Sequence, residues 1–152
     1  MRISVAMALG GLVALPASAA NAALLYSLEL SSIPGEGQII GRDVNEAGDV
    51  VGYVDSFESG SRVPSAFVRR AGGEFEVSQA PGADVLNGTV ATGIDGAGRV
   101  VGQYTNTSGL TRGFVLEGND FQPFDVPDSW STQVNDISDG GIIVGRSFLD
   151  SD

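Results

Sequence analysis

The side chains able to do chemistry in this chain are almost all carboxylates: twelve Asp and seven Glu stand against eight Arg, with no Lys, His or Cys. That inventory excludes a Ser-His-Asp triad, a thiol nucleophile, and any zinc site built on imidazole or thiolate. Without lysine there is no Schiff base and no P-loop. Two carboxylates set about 5 to 9.5 Å apart are enough for glycoside hydrolysis, one as acid and one as nucleophile or base. A carbohydrate-active enzyme, or a fragment of one, is therefore the alternative reading. Abundance alone does not favour it, because nineteen acids make some close pair inevitable.

One local arrangement has metal-ligand spacing. Asp43-x-Asn45-x-x-Gly48-Asp49 begins like an EF-hand loop, with oxygens at alternating positions before a Gly, so Asp43, Asn45 and Asp49 are the candidate metal ligands. Ala47 occupies a ligand position and Val54 stands where the closing bidentate Glu belongs. Capping of a tight turn accounts for the same residues, and the reading carries no metal and no cofactor. Trp130 and Tyr104, aromatics outside any recurring pattern, are the candidate ligand-binding residues. Arg69-Arg70 reads as a strand end facing water.

The elements that must position these residues repeat. Asp43 to Gly52, Gly93 to Gly102 and Asp136 to Gly145 align without gaps as aliphatic, Asn/Asp/Ser, two residues, Gly, one residue, two aliphatics, Gly. A second block pairs Ala66-Phe67-Val68 with Gly113-Phe114-Val115, and Phe75 to Pro81 with Phe121 to Pro127; its first copy is Leu28 to Pro34. The period is near 46, with slack in the loops. Short runs of Val, Ile, Phe and Tyr alternate with Gly, Asn, Asp, Ser and Pro clusters, so each unit reads as about four short strands. In the second unit these are Phe75 to Ser78, Thr89 to Ile94, Val100 to Tyr104 and Gly113 to Leu116. Asn45 to Gly48, Asp95 to Gly98 and Ser138 to Gly141 fit hairpin turns with Gly at positive φ. Phe67, Phe75, Phe114, Phe121 and Phe124 recur at repeat positions and read as core.

From about Leu28 onward the pattern resembles the HAF-type extracellular repeat of secreted bacterial proteins, on the Ile-Asn-x-x-Gly-x-Val-Val-Gly run, the Ala-Phe-aliphatic block, the Gly-Phe turn and the Pro-Gly corner. Ser65 and Arg112 stand where that motif has its His, and Gly113 stands where it has its Ala. The resemblance implies secretion and repeat architecture and supplies no activity.

The expected fold is all-β, antiparallel four-stranded units that are β-propeller-like and amount to about two and a half, with an open β-sandwich as the alternative. Closing a propeller takes at least about four blades. Units fall roughly at 28–74, 75–120 and 121–152, the last partial. Residues 1–22 read as a signal peptide: Met1-Arg2, an apolar run to Leu15, Pro16, then small-residue sites with cleavage after Ala19 or Ala22. Removing 22 of the 152 residues leaves 130, and loss of Arg2 leaves seven Arg against nineteen acids, a net charge of −12. Such acidity argues against nucleic acid. Processing leaves no membrane span, and open sheet edges favour self-association. The expected function is an exported, non-enzymatic binding or structural module, periplasmic, cell-surface or extracellular, with a surface glycan or a protein as partner.

Overall fold

The computed structural model describes residues 37–58 and 61–149. All of them belong to one unit, Gly35–Asp152. The leader and the first copy of the Phe block, Leu28 to Pro34, lie outside the described residues.

Ten strands and no helix are found among the described residues. The first sheet is a meander of β1 (Gln38–Val44), β2 (Val50–Glu58), β3 (Ser61–Arg69) and β4 (Phe75–Ser78). The second repeats it with β5 (Thr89–Ile94), β6 (Val100–Thr105), β7 (Thr111–Glu117) and β8 (Asp120–Phe124). The third holds β9 (Ser129–Ile137) and β10 (Ile143–Leu149). Every pairing is antiparallel, and the sheets do not close into a barrel. The all-β expectation with four-stranded antiparallel units holds.

The phase of the units differs from the one read off the sequence. Phe75 to Ser78 completes the first sheet, pairing with Ala66 to Arg69, instead of opening the second. The reason is local. A tight turn in which Gly73 donates to the Arg70 carbonyl at 2.8 Å folds β4 straight back onto β3. Residues 79–88 then carry the chain away to β5. A repeat in sequence has no intrinsic starting point, whereas sheet membership is fixed by which connection is a hairpin.

The second sheet is covered on both faces, which explains its unbroken apolar pairs. Successive residues of a strand point to opposite sides. Val100 and Phe114 pack with Val51, Ala66 and Val68 of the first sheet and with Ala91 and Ile94. Their neighbours Val101 and Val115 pack with Val134, Ile137 and Ile143 of the third. The recurring phenylalanines form equivalent ring pairs, Phe67 on Phe75 at 4.8 Å and Phe114 on Phe121 at 4.5 Å between centroids. Phe67 and Phe114 are buried, as expected of core; Phe124 lies at the surface.

The outer edges differ in their defences against further pairing. β4 is only four residues long, and β8 carries Pro123. β10 runs for seven residues without Pro or acid, and no strand pairs with its outer side among the described residues.

Candidate functional site

The candidate metal residues of the first repeat are occupied in holding turns. Asn45 Oδ1 accepts the Asp49 amide at 2.9 Å, and Gly48, at φ 86°, donates to the Asn45 carbonyl at 3.0 Å. The second unit repeats this, with Asp95 Oδ1 accepting the amides of Ala97 at 3.0 Å and Arg99 at 2.8 Å. In the third, Ser138 Oγ accepts from Ile142 at 3.1 Å. Asn106 forms the same turn between β6 and β7, accepting from Ser108 and Leu110, both at 3.0 Å. Asp43 spreads its two oxygens over the amides of Val44 and Ile94, both at 2.8 Å. Asp49 accepts the Ala71 amide at 2.9 Å and Arg70 at 3.2 Å. That amide, with the Arg70 guanidinium, outweighs partial burial and holds the Asp49 carboxyl below the ordinary 3.8. The oxygens of Asp43, Asn45 and Asp49 thus face N–H donors, and the described residues contain no group of three or more acids that could hold an ion.

The same turns tie the sheets together. Asn45 Nδ2 donates to the Asp95 carbonyl of the second sheet at 3.1 Å, and the Gly96 amide donates to Asp139 of the third at 2.7 Å. Their role is structural, at the end of the stack that carries the β1–β2 hairpin.

Tyr104 is half-buried against the core and meets Phe121 edge-on at 6.1 Å. Burial, with the Asp125 charge, pushes its phenol above its ordinary 10.0. Trp130 is 46% exposed on β9 and tilts over Phe148 of β10 at 5.2 Å. The two candidate aromatics therefore sit in different sheets and do not form one surface. Neither lines the cleft to which all three sheets contribute.

That cleft, about 680 Å³, is built from positions the repeat leaves free. Apart from Trp130, which is skipped near the start of β9, the pairing of the first two strands in each unit skips one equivalent residue: Arg42 in β1, Thr92 in β5 and Asn135 in β9. These are β-bulges, which leave one residue unpaired and re-aim its side chain. All three line the same cleft. They are also equivalent in sequence, each standing one residue before the aligned Asp43, Gly93 and Asp136 blocks. The glycine closing each block makes room for the bulge. A Cβ on Gly102 would overlap the Val90 carbonyl oxygen and come within 2.7 Å of the Phe114 ring, and Gly52 and Gly145 face the Ile40 and Gln133 carbonyls in the same way.

Further lining comes from Tyr53 and Gln103, again equivalent residues, each directly after the closing glycine. On β2 the face that is apolar at Val51 turns polar at Tyr53 and Asp55. Asp55 is 1% exposed and is bonded by Arg62, whose guanidinium it holds more firmly protonated. Arg42 lies over the Tyr53 ring, 5.3 Å from its centroid. One rim is the β4–β5 connection. Asp84 fixes it by accepting the amides of Leu86 at 2.9 Å and Asn87 at 3.1 Å, which places both residues on the cleft.

Sequence reasoning missed this set because it followed what recurs. The available signal was the opposite: columns beside the recurrent motif that change type from unit to unit. Comparison with protein-family models, with curated proteins and with solved structures finds no match for this chain. No helix among the described residues is long and apolar enough to cross a membrane.

Proposed function

We propose that the chain is an exported, non-enzymatic binding module of the cell surface or extracellular space, with the bulge-lined cleft as its ligand seat. The observation that carries the reading is the division of labour within the repeat. Recurrent positions make turns and core, while Arg42, Thr92 and Asn135, with Tyr53 and Gln103, vary and converge on one cavity. Repeat proteins build recognition surfaces in this manner, a constant frame presenting variable side chains. The resemblance to HAF-type repeats and the leader-like first 22 residues support export.

Binding is favoured over glycoside hydrolysis by the lining itself. Among its residues Asp55 is the sole carboxylate, and it is engaged by Arg62, so the cleft offers no acid pair to share the work. The volume lies within the roughly 300–1,000 Å³ usual for small-ligand sites.

The test is to purify the protein from the exported fraction, establish its processed mass, and screen it against immobilised saccharides with Asn135→Trp as a cleft-filling variant. Binding that this substitution abolishes, without change in melting temperature, is the expected result. Binding indifferent to Asn135→Trp would refute the assignment of the cleft. Release of new reducing ends would replace the module with an enzyme.

A further inference from the structure

Resting on that reading of the cleft, we infer that its ligand is a carboxylate-bearing saccharide, with Arg42 as the residue that grips the carboxylate. The first argument is charge. The chain carries a net −11, yet the cleft is lined by Arg42 and Arg62 against Asp55 alone. A local positive surplus in an acidic protein marks a place for an anionic group.

The second argument is the state of Arg42. Arg62, Arg70, Arg99 and Arg112 each meet a carboxylate, in Asp55, Asp49, Asp95 and Asp125 respectively. Arg146 donates to the Gln133 side chain at 2.7 Å. Arg42 has no acidic partner among the described residues; it is seated on the Tyr53 ring alone. Stacking orients a guanidinium while leaving its edge of N–H donors open, and that edge matches a carboxylate bidentately. The bulge that carries Arg42 aims it into the cavity.

The third argument selects a sugar. Around the two arginines stand neutral hydrogen-bonding side chains, Asn87, Gln103 and Asn135, that both donate and accept as ring hydroxyls require. Pro64, Leu86 and Val90 supply apolar surface for the C–H face of a pyranose. The overall negative charge repels a dense polyanion, so the fitting ligand is short or sparsely charged.

Calorimetry with trigalacturonate and with its methyl ester, equal in shape but uncharged, tests the inference on the full mature chain. The acid is expected to bind about 10-fold or more tighter than the ester, as loss of a charge-assisted pair implies. Arg42→Gln is expected to erase that preference, with a melting temperature within a degree or so of the parent, because Arg42 is exposed and has no acidic partner to lose. If acid and ester bind equally and Asn135→Trp blocks both, the cleft stands and the inference about charge fails. If neither form binds and neutral galactose or glucose oligomers do not either, the cleft reading fails with it. If short Glu peptides bind as tightly as the uronate and lose as much on Arg42→Gln, the saccharide class is overturned.

Discussion

Gly102→Ala should be the most damaging single-methyl change in the second sheet. Gly102 is central, paired with Ala91 on one side and Phe114 on the other. The added Cβ would meet the Val90 carbonyl oxygen, which is backbone, and the buried Phe114 ring at 2.7 Å, neither free to swing aside. Overpacking of this kind costs ~1–3 kcal/mol. Pushing the carbonyl out of its ladder bond adds about 1–3 kcal/mol more. A loss of about 3 kcal/mol or more is a large fraction of the ~5–15 kcal/mol that holds a domain, and lowers Tm on the order of 10 °C. Gly72→Ala is the control: nothing lies within 4 Å of its Cβ, and the change should stay within about 0.5 kcal/mol. Urea unfolding followed by far-UV circular dichroism measures both. Equal midpoints for the two variants would refute the claim that the closing glycine exists to admit the bulge.

Three further outcomes are expected. Asp95→Ala should cost about 2–3 kcal/mol in urea unfolding, because Asp95 is itself 1% exposed and its loss removes the acceptor of the Ala97 and Arg99 amides and of the Arg99 guanidinium. Asp95→Asn, which keeps the accepting oxygen, should cost visibly less. The lowered pKa of Asp49 means that the unfolded chain binds its proton first. Its contribution is therefore complete above the ordinary 3.8 and drains away as pH falls through the lower folded value, so Asp49→Asn should flatten the acid limb of a stability-against-pH curve. Trp130, the sole tryptophan, reports on the third sheet and not on the cleft. Its emission should be red-shifted and open to acrylamide, and should not change when a saccharide fills the cleft.

How much of this was legible beforehand divides along physical lines. The turns were, because Gly48, Gly98 and Gly141 take a left-handed φ that side chains resist, and an Asn, Asp or Ser three residues earlier caps the turn from its own backbone. These are interactions over four or five residues, and the local sequence contains all their partners. The all-β class was legible for the same reason, as was the burial of Phe67 and Phe114. The phase of the units was not: whether Phe75 to Ser78 ends one sheet or opens the next depends on the hairpin at Gly73 competing with the longer connection to Thr89.

The cleft was out of reach in a deeper sense. Arg42, Thr92 and Asn135 lie 50 and 43 residues apart, and nothing local to any of them says that they meet. Their convergence depends on each strand pair bulging at the same place and on the sheets stacking in chain order, so that each bulge faces the same cavity. The sequence by itself determined where the chain turns, which faces are apolar and which chemistries its side chains exclude, since those follow from short-range sterics and composition. Only the tertiary structure decided which residues share a surface, because the face a bulged residue presents is set by register and stacking between strands far apart in the chain.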